Sequence, residues 1–217
     1  MLQIKKNVTQ FPFILFFMAA LTTIEASGNN LSDSIPKGWQ AGPNNPADII
    51  IGTDTTVRHS GKASGFVQCA LALKPSTGNV VMWQSIAPDP YRNKRVRLTA
   101  YARSIEIESE ALFYFRVDGT DTVLAYARTI PYLIEETTDW TLYHITLDVP
   151  VAAISLDFGV VMTPGQGIIW VDDFNLAVVD NLIQSDAMVI PGQSKNPGTR
   201  KNSISNAKAM NLGFEDR

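Results

Sequence analysis

The sequence predicts an all-β chain, an antiparallel two-sheet β-sandwich of about nine strands. Three observations lead there. Between about residues 48 and 179, short segments of alternating apolar and polar residues recur at roughly the 8–12-residue spacing of sandwich strands. The chain's fourteen glycines and twelve prolines, with no long Ala/Glu/Lys/Leu stretch, lean toward many short strands joined by turns. No stretch in that region repeats its apolar residues at the helical period of about 3.6.

Taken in order, Ile49–His59 is the first strand, closed by the tight turn Ser60-Gly61-Lys62, where Gly61 is free to adopt a positive φ. Ser64–Leu71 follows, with Val67, Cys69 and Leu71 on one face, so Cys69 is expected as a small buried hydrophobe. Asn79–Ala87 carries Trp83 and ends at Pro88-Asp89-Pro90. Lys94–Ser104 alternates most clearly: Val96, Leu98, Ala100 and Ala102 point one way, and Arg95, Arg97, Thr99, Tyr101 and Arg103 the other. One face of that strand is core and one is wet. Ala111–Val117, Thr122–Arg128, Trp140–Val149, Ile154–Met162 and Ile168–Val179 complete the set.

With 217 residues, 45% hydrophobic and 18% charged, the chain is long enough for one sizeable core and too apolar for wholesale disorder. Cys69 is the single cysteine, which excludes an intrachain disulfide. Lys5 and Lys6, the apolar run Phe11–Leu21 and the small residues around Ala26 have the order of a secretory signal. The run is too short for a permanent membrane span of about 20 residues. Residues 1–26 are therefore expected to be a signal peptide, 27–179 the sandwich module, and 180–217 a linker or disordered tail. The expected location is secreted, periplasmic or extracellular. Losing residues 1–26 removes two lysines and one glutamate, taking the net charge from −3 to −4. A net acidic module is a poor partner for nucleic acid.

Candidate chemistry is sparse. His59 and His144 are the only histidines, and no nucleophile elbow, phosphate loop or dinucleotide pattern is present. Arg92, Lys94, Arg95, Arg97 and Arg103 read as a solvated strand face paired with Glu106, Glu108 and Glu110. Strict alternation in the last strand places Asp172 on a face with Ile168, Trp170, Phe174 and Leu176, where a carboxylate needs compensation. Three readings are open: a structural calcium site at this carboxylate, a carboxylate accepting backbone N–H groups, or one lying at the strand's frayed end. Among the aromatics, Tyr101 lies on a polar strand face and Tyr114 shares a face with Arg116. Tyr101, Tyr114, Arg116 and Asp118 are the candidate platform for a sugar ring and its hydroxyls.

Pro36-Lys-Gly-Trp39, Thr56–Ser64, Trp83-Gln84, Tyr91–Ala100, Phe115-Arg-Val-Asp-Gly119, Thr138-Asp-Trp140, Leu147-Asp-Val-Pro150 and Gly167–Phe174 occur in an order that resembles bacterial carbohydrate-binding-like jelly-roll modules, galactose-binding-domain-like in fold. The resemblance spans roughly 30–179. It implies a secreted, non-catalytic module that binds a glycan or polysaccharide, with a calcium ion near Asp172 or Asp173. The competing expectation is an accessory or protein-interaction domain of a larger extracellular protein, without sugar binding. Such modules open on Asn-x-x-Phe-Glu. Here the equivalent stretch, Asn30-Leu-Ser-Asp-Ser34, lacks the aromatic, whereas Asn211-Leu-Gly-Phe-Glu215 carries the pattern near the chain's end, as the start of a truncated second module would.

Overall fold

One strand organises the molecule. In the computed structural model, which describes residues 31–32, 34–42, 49–69, 78–130, 132–188 and 208–216, the two expected strands Lys94–Ser104 and Ala111–Val117 are a single 25-residue strand, Lys94–Asp118. The strands are β1 (Leu31–Ser32), β2 (Gln40–Gly42), β3 (Ile49–Asp54), β4 (Ser64–Cys69), β5 (Val80–Ile86), β6 (Lys94–Asp118), β7 (Val123–Arg128), β8 (Ile134–Val149), β9 (Ser155–Met162) and β10 (Gly167–Val179). The first part of β6 pairs with β10 and β8, and its last part with β9 and β7. All pairings are antiparallel, in the order β1-β3-β4-β10-β6-β9-β5-β2. The crossing lies at Glu106, whose φ of 51° and the register shifts around Ile107 let the strand leave one half and join the other.

The two halves face each other across one core. Val96, Leu98, Ala100 and Ala102 are buried there, as their alternation requires. Phe113 and Phe158 from one half meet Phe174 of the other at centroid distances of 5.5 and 6.1 Å. Cys69 is buried, its thiol 3.8 Å from the Met162 sulfur, and burial pushes that thiol up to about 11. It behaves as the small hydrophobe its strand position suggested. Gly61 has a φ of 57° in the β3–β4 turn.

Two expectations change. Basic residues in the first part of β6 and just before it pair with aspartates, not with the glutamates: Arg95 with Asp148 at 2.8 Å, Arg103 with Asp139 at 4.0 Å, and Arg92, just before the strand, with Asp89 at 3.1 Å. Glu106, Glu108 and Glu110 lie exposed at and after the bend. The proposed tail is folded in part. Segment 180–188 runs beside β7 and β8, with Met188 N–H donating to the Tyr126 carbonyl at 2.9 Å. Residues 208–216 return to the core, where Phe214 is fully buried and stacks on Trp39 with centroids 4.9 Å apart. The expected signal segment lies outside the described residues.

Candidate functional site

Four outward-facing residues make a row across the second half: Ser85 (β5), Asp157 (β9), Arg116 (β6) and Tyr126 (β7). The next row is Trp83, Gly159, Tyr114 and Arg128. Tyr114, Arg116 and Asp118 thus share this face, as alternation along β6 predicts. Tyr114 is only 8% exposed, however, and clusters with Trp83 and Leu112, so it is no open platform. The period-two rule reports the face and not what lies over it.

Arg116 Nε donates to Asp118 Oδ1 at 2.7 Å. Asp118 is buried, and its Oδ2 receives no hydrogen bond from an N–H or hydroxyl. The neighbouring Asp157 carboxyl, bonded to Asp118 and Ser85, is pushed up to about 7, chiefly by burial and then by Asp118. Nothing in the sequence signalled this pair, because the two residues meet only through the β6–β9 register.

Tyr101 stands apart from these residues. It sits on the first part of β6, opposite Leu142 and Asp172, and stacks against His59 with centroids 3.6 Å apart. Register therefore splits the four expected platform residues between two surfaces.

Asp172 is fully buried, under the β3–β4 turn. Its Oδ2 accepts the N–H groups of His59 (2.9 Å) and Ser60 (3.1 Å), and its Oδ1 that of Asp173 (2.8 Å). Asp173 bonds the Ser60 hydroxyl and His59 Nδ1, both at 2.7 Å. These acceptors are taken by the turn, and among the described residues no group of three or more His, Cys, Asp or Glu side chains is arranged for a metal ion. The donor set does not suit calcium, which takes six to eight oxygens. A bulge between Asp172 and Asn175, with Asp173 at φ 49°, also breaks the alternation: Phe174 turns into the core while Asp172 stays outside it. Burial pushes the Asp172 carboxyl up to about 6.

The open feature is a groove of about 830 Å³ between the β7–β8 connection, β8 and segment 184–188. Its apolar walls include Ile130, Tyr132, Leu142 and Met188, with Tyr132 73% exposed. Arg128, Thr129, Thr141, His144 and Asp186 add polar groups. Arg128 Nε is buried without a hydrogen-bond partner among the described residues. Arg128 opposes Tyr114 across β6–β7, so the groove adjoins the Arg116–Asp118–Asp157 face. Sequence reading missed it because Ile130, Tyr132 and Met188 lie in connections, where no alternation signals a surface.

No family model matches the chain. The uncharacterized HTH-type transcriptional regulator YbfP of Bacillus subtilis (strain 168) is 31% identical over 158 residues, 72% of this chain and 53% of that protein. The chain spans about half the length of this curated relative. Among solved structures, the family 16 carbohydrate binding module-2 has a TM-score of 0.47 at 16% identity, covering 65% of this chain and 91% of that one. The C-terminal family 22 carbohydrate binding module of Clostridium thermocellum Xyn10B has a TM-score of 0.46 at 13% identity, covering 68% and 89%. The enzymatically active domain of bacteriophage CBA120 tailspike protein 4 has a TM-score of 0.53 at 12% identity, covering 68% of this chain and 20% of that one. This last likeness is one of fold.

Proposed function

We propose that the chain is a secreted, non-catalytic module that binds a carbohydrate in the groove between β7, β8 and segment 184–188. The observation that carries this is Arg128: a buried guanidinium N–H without a partner at the wall of an open groove calls for an oxygen acceptor. Beside it, Tyr132 offers an exposed ring for the C–H face of a sugar, and Thr129, Thr141 and Asp186 offer partners for its hydroxyls. The motif resemblance points the same way. Affinity electrophoresis of the protein in gels containing plant and bacterial polysaccharides tests the proposal. Retention by at least one, weakened in Arg128→Ala and Tyr132→Ala, supports it; migration unaffected by every polysaccharide overturns it.

A second reading is an accessory domain that docks on protein. It is favoured by the apolar rim of Ile130, Tyr132, Leu142 and Met188, each more than two-fifths exposed. The regulator relative is compatible with it, since a shared segment can serve either role. The described residues hold one three-residue 3-10 turn, Asp89–Tyr91, as their sole helical element, so they contain no recognition helix for DNA.

A further inference from the structure

Residues 208–216 are built into the sandwich without belonging to its ladders. No strand pairing holds them. Instead Phe214 fills a pocket between Trp39, Phe174 and Gly65, and a Cβ on Gly65 would lie 2.5 Å from the Phe214 ring. The pocket is thus shaped for that ring. Around it, isolated hydrogen bonds fix the segment: Phe174 N–H to the Leu212 carbonyl (3.0 Å), Trp39 Nε1 to the Asn211 carbonyl (3.1 Å), and the Gln84 amide to both the N–H and the carbonyl of Met210. At the rim, Lys62 N–H donates to Glu215 at 2.8 Å.

The segment is also folded on itself. The Asn211 side chain donates to the Asp216 carbonyl (2.6 Å) and accepts the Asp216 N–H (2.9 Å), closing a turn that presents Phe214. A pre-formed turn loses less entropy on docking than a free peptide. The chain from Met188 to Lys208 makes about 20 steps, which can span roughly 65 Å, beyond the ~40 Å width of a 150-residue domain. Covalent connectivity therefore does not confine the segment to its own domain.

We infer that the Trp39–Gly65–Phe174 pocket is an acceptor site for the turn Ala209–Asp216, and that it takes this turn from a second copy of the chain as well as from its own. The exchange is a domain swap through a short peptide, in which each copy lends the other its missing core aromatic. At low concentration the chain's own segment wins, because covalent tethering holds it at an effective concentration on the order of 1 mM. A second copy competes only near that level.

The test is refolding of the full chain from urea at about 10 µM and about 1 mM, levels chosen to bracket that effective concentration, followed by size-exclusion chromatography with light scattering at one dilution. The expected result is monomer from the dilute sample, at least a several-fold larger dimer fraction from the concentrated one, and no concentration-dependent dimer from Phe214→Ala. Monomer from both samples, or equal dimer from Phe214→Ala, overturns the inference. A second measurement is independent of refolding. A protease site placed between residues 190 and 205 is cut after folding, and a fluorescent peptide of residues 208–217 is added. Capture by the cut and not by the intact protein, and none with a Phe214→Ala peptide, supports exchange. A cut protein that stays folded and captures nothing overturns it.

Discussion

The ring of Phe214 lies against that of Trp39, centroids 4.9 Å apart and planes 25° apart, so a residue near the chain's end completes a core begun before its second strand. Phe214 also meets Phe174 edge-on at 6.2 Å. Replacing it with alanine removes a fully buried ring from a site that the strands cannot close without moving. Phe214→Ala is expected to lose about 3–5 kcal/mol of unfolding free energy in urea melts followed by circular dichroism. Glu215→Gln, at the exposed rim, should lose less than about 1 kcal/mol. Equal losses would show that the segment is held at its rim and not by its aromatic anchor.

The strand set was legible because alternation writes a buried face directly into sequence, as Val96 to Ala102 show. Phe214 was not, because a single docked turn has no period and its partners lie about 175 residues away or in strands distant in sequence. Asp172 was half legible. Its anomaly on the strand was visible, but the bulge at Asp173 and the turn lying over it depend on three-dimensional packing. The cover over Tyr114 was illegible for the same reason, since Tyr114 faces outward from its strand and is nevertheless buried.

Gly159 leaves no room for a side chain. A Cβ there would stand 2.1 Å from the Met82 carbonyl oxygen and 2.8 Å from the Trp83 Cα, both backbone neighbours that cannot rotate away. Gly159→Ala must push β5 from β9 in the middle of their ladder. It is expected to cost more than about 3 kcal/mol or to yield insoluble protein, well beyond ordinary surface changes. Gly78→Ala is the comparison, with open space around its Cβ and only a positive φ of 76° to oppose it. A melt of Gly159→Ala that matches the parent would contradict the close approach.

Two desolvated carboxyls, Asp172 buried and Asp157 partly so, set the pH dependence. Asp157 and Asp172 are pushed up, by burial first, to about 7 and about 6. In the unfolded chain both release their protons near pH 3.9. Between about pH 4 and pH 7 the folded state thus holds more protons than the unfolded one, so stability from these groups falls as pH rises and levels off above about 7. Asp148, held below the usual carboxylate range by its hydrogen bond with Arg95, works the other way, and only at more acid pH. Urea melts at pH 4.5, 6 and 8 should show decreasing stability. Asp157→Asn should flatten the upper part of that decline.

At Asp172 the role is structural. Removing its carboxyl in Asp172→Ala leaves the N–H groups of His59, Ser60 and Asp173 without their acceptor and should cost about 2–4 kcal/mol. Because those oxygens are already engaged, calcium should add nothing. Scanning calorimetry of the parent in millimolar calcium and in chelator is expected to give the same melting temperature. A calcium-dependent rise that disappears in Asp172→Ala would assign the ion to this site.

The groove separates binding from stability, because its aromatic and its guanidinium differ in burial. Tyr132 is 73% exposed, so Tyr132→Ala should leave the urea midpoint within about 0.5 kcal/mol of the parent while removing a stacking face. Arg128 has a buried, unpartnered Nε, and Arg128→Met deletes that orphan donor while keeping the stem of the side chain. Its stability should be unchanged or higher, whereas an oxygen ligand bonded to the guanidinium should be lost. Isothermal titration with whichever oligosaccharide the gels retain measures both variants. Weakening of about ten-fold or more in each, with folding intact, places the ligand across Arg128 and Tyr132, since one charged or stacked contact carries roughly 1–3 kcal/mol. Unaltered affinity in both would move the ligand away from the groove, toward the face that bears Arg116 and Asp157.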